Sequence, residues 1–248
     1  MIWQMIWAMV KAILFPKKPS PLPTPTPPIP KIPKPQPKNH KQKYLWVLDN
    51  GHGALTTGKR SAKLADGRQL MEYEFNRDVV ARIQKGLFLE GIAFHILVPE
   101  IACGNILKER IQRVHQLQSE RPKILVSIHA NAYQWPYSSP SGIEVWYKHA
   151  DTFSQTVATI FQAKLIATTK WIDRGIKSKR EKQFYLLRKA PCPAILTENG
   201  FYTNPQQVQQ LLAPDVRQAI AQAHIDAILE IETTATSSIH HSSLKKTS

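Results

Sequence analysis

Residues 44–53 read YLWVLDNGHG. An apolar run that suits a buried strand breaks off into Asp49, Asn50, Gly51, His52 and Gly53. Glycine on both sides of His52 lets the chain turn sharply and brings the imidazole close to backbone without a side-chain clash. A histidine in a turn is unremarkable by itself. Whether this one does chemistry depends on what the other strands deliver to the same edge.

Outward from that stretch the pattern alternates. Phe75, Val79, Ile83 and Leu87 recur at helical spacing over residues 72–90. IAFHILV reads as a strand, and Leu107, Ile111, Val114 and Leu117 mark a helix over 105–118. ILVSIH and the shorter GIEVWY follow as strands. Phe153, Val157, Ile160 and Leu165 mark a helix over 152–169, and AILTE is again a strand. Pro214 then opens a helix carrying Val216, Ile220, Ala223 and Ile231. Alternating strands and helices predict an α/β fold: a single three-layer domain over 44–232 with a mostly parallel central sheet flanked by helices.

In open α/β sheets, ligands bind at the carboxyl ends of the strands. One strand is expected to end at Ser127-Ile128-His129-Ala130-Asn131, another at Thr197-Glu198-Asn199-Gly200. If these strands neighbour the first, His52, His129 and Glu198 share one rim. Zinc takes imidazole nitrogen and carboxylate oxygen, and two histidines with one carboxylate form a catalytic ligand set that leaves a position for water. The candidate carboxylates are Asp49, Glu72, Glu74 and Glu198. His95, His115 and His224 read as packing residues within strands and helices.

LDNGHG, LMEYEFNRDVV, ILVSIHANA, GIEVWY, RGIK and PAILTENGFYTNPQQ occur in that order. Together they resemble the zinc-dependent N-acetylmuramoyl-L-alanine amidases of the amidase-3 family, over about residues 44–232. The resemblance implies one zinc ion per chain, with His52, Glu72 and His129 as ligands and Glu198 as the catalytic glutamate. Glu74 is the alternative to Glu72. It also implies peptidoglycan as substrate and the amide between N-acetylmuramic acid and L-alanine as the scissile bond. A zinc peptidase acting on stem peptides, or an inactive wall-binding module, are the competing functions. Asn131 and Arg174 are expected to contact substrate, and Asp49 and Ser127 to orient a ligand imidazole. Trp135, Tyr137 and Trp146 could stack on sugar or peptide, Trp146 fitting a core position better. Ala54 and Asn199 depart from the family pattern and are expected to reshape the substrate rim. The short segment from His129 to Gly142 leaves no room for the blocking helix of some cell-division members.

The formal charge is +15, yet residues 1–43 hold eight lysines and no acid, and residues 233–248 hold two lysines and no acid. Only +5 remains for 44–232, so a nucleic-acid groove on the domain is not expected. Residues 1–15, MIWQMIWAMVKAILF, form an apolar segment suited to interfacial or signal-like contact with a membrane surface. Residues 16–43 contain eleven of the nineteen prolines and read as a semi-rigid linker. Residues 233–248 read as a disordered tail in which His240 and His241 are solvated. Two cysteines, Cys103 and Cys192, exclude a disulfide framework. The expected location is the cell envelope, on its periplasmic or extracellular side, or the cytoplasm until release for a phage lysin.

Overall fold

A computed structural model describes residues 42–181 and 183–234. The expectations for the apolar segment, for the linker up to residue 41 and for the tail from residue 235 lie outside these described residues. Six strands form one sheet: β1 (Leu45–Asn50), β2 (Phe94–Ile96), β3 (Lys123–Asn131), β4 (Ile143–Tyr147), β5 (Asp173–Lys177) and β6 (Ala194–Phe201). Their order is β2-β1-β3-β6-β4-β5. β2, β1, β3 and β6 run parallel, and β4 pairs antiparallel with β6. The helices are α1 (Glu72–Glu90), α2 (Leu107–Gln116), α3 (Thr152–Thr169), α4 (Tyr185–Lys189), α5 (Pro205–Leu212) and α6 (Pro214–Thr233).

Side chains alternate across the central strands and divide the core in two. Trp46, Leu48, Ile124, Val126, Ile128 and Ile195 face α1, α3 and α6. Val47, Leu125, Ala194 and Leu196 face the smaller layer built from α2 and α4. Strands buried on both faces explain why LWVL and ILV read as unbroken apolar runs. Three elements escaped the sequence reading. β5 is an edge strand whose DRGIK carries no apolar alternation, α4 is five residues long, and α5 is a short helix opened by Asn204 and Pro205.

β3 ends at Asn131 and β6 at Phe201, a little beyond the ILVSIH and AILTE read as strands, because their ladder continues past a register shift to Asn131 opposite Phe201. His129 and Glu198 face each other in that ladder, near the carboxyl edge of the sheet. Cys103 and Cys192 are both free and buried. His115 is exposed on α2, which corrects the expectation that it packs, whereas His95 is half-buried on β2.

His224 does pack. It is fully buried on α6, where Nδ1 donates to the Ile220 carbonyl at 2.8 Å and Nε2 accepts the Thr197 hydroxyl at 3.0 Å. Burial pushes its pKa down to about 4. The unfolded chain therefore takes up a proton between pH 6.5 and 4 that the folded protein refuses. Stability from this residue is complete above pH 6.5 and falls by roughly 3 kcal/mol on acidification to pH 4. In urea titrations, His224→Gln should flatten the acid side of the stability profile relative to the unmodified protein. Parallel profiles would show that His224 is not the group responsible.

Candidate metal centre

Glu72 opens α1 and is buried to 2% exposure. A carboxylate so placed needs partners, because removing its charge from water is costly. Both come from the sheet edge. His129 Nδ1 lies 2.9 Å from Glu72 Oε1, and His52 Nε2 lies 3.3 Å from Glu72 Oε2. Burial opposes the charge, but the hydrogen bonds of His129 and His52 outweigh it and hold the Glu72 carboxyl at about 2. The two rings stand at 90° with centroids 5.0 Å apart. One ligand atom from each of the three residues lies within 4.8 Å of the others. Two imidazoles around one ionised carboxylate are a donor set that fits a divalent cation such as zinc. Glu74 lies outside this cluster; it is exposed and takes the Tyr73 hydroxyl at 2.9 Å.

The glycines flanking His52 serve its neighbours. A Cβ on Gly51 would lie 2.1 Å from the His129 ring, and one on Gly53 would lie 2.2 Å from Cys103 Sγ. His52 itself adopts the left-handed conformation, with φ 63°, which a side chain seldom takes without support. Its carbonyl is held by Arg110, whose Nη2 donates at 2.9 Å. Arg110 is 2% exposed on α2; its Nη1 donates to the Asp49 carboxylate and, at 3.3 Å, to the Asn50 carbonyl. Asp49 Oδ2 accepts the Ser127 hydroxyl at 2.5 Å, and Ser127 Oγ lies 3.1 Å from His129 Nε2. Asp49 and Ser127 thus stand behind His129. Arg110 joins them to His52 and was not foreseen. The available signal was an arginine beside the apolar stripe of Leu107, Ile111 and Val114.

Glu198 is 7% exposed, paired in the sheet with His129 on one side and Glu144 on the other. Its Oε2 is buried with no hydrogen-bond partner. Burial pushes its pKa up to about 8; Glu72 and Glu144 add to the shift, while His129 and Lys59 oppose it. Glu144 was also missed by the sequence reading, although it is an acid between apolar Ile143 and Val145. It takes hydrogen bonds from Asn131 and Trp146 on Oε1 at 3.1 and 2.9 Å. On Oε2 it accepts Arg174 Nε at 2.8 Å and the Lys177 ammonium. Asn199 is wholly buried and donates to the His129 carbonyl at 2.9 Å, so it braces the strand behind the site instead of shaping a rim. Ala54 is exposed.

A cavity of about 530 Å³ opens over this edge, lined among others by His52, Glu72, His129, Glu198, Asn131 and Lys59. Asn131 lies in its wall, where its side chain also accepts the Ala132 amide at 2.8 Å. Arg174 is outside that wall and packs 4.8 Å over the Phe201 ring. Tyr133, Trp135 and Tyr137 are exposed on the helix-free segment that follows Asn131. Trp146 is half-buried against the smaller core layer.

The family described as N-acetylmuramoyl-L-alanine amidase, Amidase_3, matches residues 47–230. The N-acetylmuramoyl-L-alanine amidase LytC of Bacillus subtilis is 31% identical over 178 residues, which are 71% of this chain and 33% of that protein. An uncharacterized cell wall amidase of Bacillus anthracis is 30% identical over 74% of this chain and 34% of its own length. The chain thus spans about a third of the length of these two relatives. Among solved structures, an N-acetylmuramoyl-L-alanine amidase of Clostridium difficile 630 superposes with a TM-score of 0.64 at 26% identity, covering 78% of this chain and 100% of that one.

The contact between Gly51 and the His129 ring gives a direct test of the cluster. Gly51→Ala adds one methyl where the ring lies and must push it from Glu72. The variant should retain its helical circular dichroism yet bind zinc or cobalt ~10–100-fold more weakly in chelator competition. Unchanged affinity would separate His129 from the metal.

Proposed function

Since the chain belongs to the Amidase_3 family of N-acetylmuramoyl-L-alanine amidases, we propose that it hydrolyses the amide between N-acetylmuramic acid and L-alanine in peptidoglycan, with zinc as cofactor. Its work is then in the cell wall. The observation that carries this reading is the juxtaposition of the His52, Glu72 and His129 cluster with the unpartnered carboxylate oxygen of Glu198 on one cavity wall.

His52, Glu72 and His129 would hold the ion. Zinc, when bound, supplies a Lewis acid that polarises a carbonyl and makes water a better nucleophile at neutral pH. The remaining work falls to the chain. An amide has a poor leaving group, so a proton must reach its nitrogen as the C–N bond breaks. Glu198 is the group for this transfer: it takes a proton from the attacking water and gives it to the departing alanine nitrogen. Its unpartnered Oε2 is the oxygen free to take that proton. Ser127 and Asp49 fix the His129 ring from behind, as a second layer does around metal-binding histidines. Arg110 holds the His52 turn. Asn131, anchored to Glu144 in the cavity wall, is placed to meet the substrate's polar groups.

Mass spectrometry of purified peptidoglycan digested by the zinc-loaded protein tests the reading. Free stem peptides with an L-alanine amino terminus are the expected product. A shortened stem still attached to muramic acid would indicate a peptidase and sink the amidase assignment. Glu198→Gln should keep one zinc per chain by metal analysis while losing at least ~10²-fold in rate. Chelator treatment should abolish wall lysis, and added zinc should restore it.

A further inference from the structure

The cavity wall contains three acids, Asp49, Glu72 and Glu198, and two cations besides its histidines, Arg110 and Lys59. Arg110 is committed: its guanidinium is consumed by Asp49 and by the carbonyls of Asn50 and His52. Lys59 is not. Its side chain is exposed and, among the described residues, makes no hydrogen bond or ion pair. It lines the same cavity as His52 and Glu198.

The backbone fixes that position. The Lys59 carbonyl accepts the Glu72 amide at 3.0 Å, and Arg60 bridges Met71. Ser61 closes the clip: its amide donates to the Leu70 carbonyl at 2.9 Å, and its hydroxyl oxygen accepts the Leu70 amide at 2.9 Å. The residue carrying the free ammonium is thus pinned to the residue carrying the candidate ligand carboxylate. A mobile surface lysine would have no such tether.

We propose that Lys59 is a specificity residue that receives the free α-carboxylate of the stem peptide's second residue, so that acidic stems are preferred to amidated ones. This rests on the amidase reading above. Peptidoglycan stems place D-glutamate after L-alanine, joined onward through its side-chain carboxyl, so its α-carboxyl is free or amidated. That group lies one residue beyond the scissile amide, and Lys59 lines the same cavity as Glu198 with its backbone bonded to that of Glu72. A carboxylate entering a wall with three acids needs a cation to meet it, and Lys59 is the one with no internal partner. Its ammonium would donate to a carboxylate oxygen. Against a carboxamide the charge attraction disappears, and only a neutral acceptor oxygen remains.

The test uses the full chain, zinc-loaded, and two disaccharide tripeptide substrates that differ only in D-glutamate or D-isoglutamine at the second residue. The readout is the ratio of kcat/KM for the acid form to that for the amide form. The unmodified protein should favour the acid form, and raising the salt concentration should compress the ratio. Lys59→Met should lower the ratio about tenfold, the order expected for one charge-assisted hydrogen bond, and Lys59→Arg should restore most of it. A ratio unchanged in Lys59→Met, with both rates lost equally or neither lost, would overturn the assignment. Cleavage of neither substrate by the unmodified protein would overturn the amidase reading, and this assignment with it.

Discussion

A buried carboxylate is the constraint on which the site is built. Glu72 carries its charge at 2% exposure, and such a charge persists only where it is paired and hydrogen-bonded. His52 and His129 supply the pairing from two different strands, and the Ala130 amide approaches the same Oε1 at 3.3 Å. Much of the local structure follows from keeping those three groups together. Gly51 lacks a side chain because the His129 ring occupies that space. Asn76, one turn into α1, donates to the Gly51 carbonyl at 2.9 Å and locks the helix to the turn.

Strain in the His52 turn is offset at its rear. The left-handed backbone at His52 is held by a guanidinium that also binds Asp49. Asp49 binds Ser127, and Ser127 meets the far nitrogen of His129. A closed circuit therefore runs from His52 through Arg110, Asp49, Ser127, His129 and Glu72 back to His52. Each polar group in it is satisfied by the next, which is what makes a buried polar network rigid instead of costly. The second acid pair, Glu198 and Glu144, is arranged in the opposite sense. Glu144 takes four donors, while Glu198 keeps one oxygen without a partner. The side chain left unsatisfied is the one proposed above to transfer the proton.

Much of this was legible in the residues. Strands buried on both faces leave continuous apolar runs, and helices on one face leave stripes, so β1, β3, α1, α3 and α6 could be placed from pattern alone. His52, His129 and Glu198 stand out because each lies at or beside the end of a strand, whereas Glu72 was one of several candidate acids until the family resemblance singled it out. β5 and α4 did not stand out, since an edge strand and a five-residue helix bury too few side chains to impose a period. Arg110 and Glu144 were invisible as functional residues for another reason: each acquires its role only from partners distant in the chain.

The sequence by itself determined the layered α/β architecture and the chemistry available at the sheet's carboxyl edge, because burial periodicity and donor type are local properties. Tertiary structure decided which acid joins the histidines. Glu72 and Glu74 are two residues apart on a helix and so point in different directions; α1 turns the first into the sheet and leaves the second in solvent. It also decided that Asn199 braces a strand, that Arg174 serves Glu144, and that Lys59 lines the cavity as a cation with no hydrogen bond or ion pair among the described residues. Side-chain partnership depends on strand order and register, and those are fixed only when the whole sheet has closed on its core.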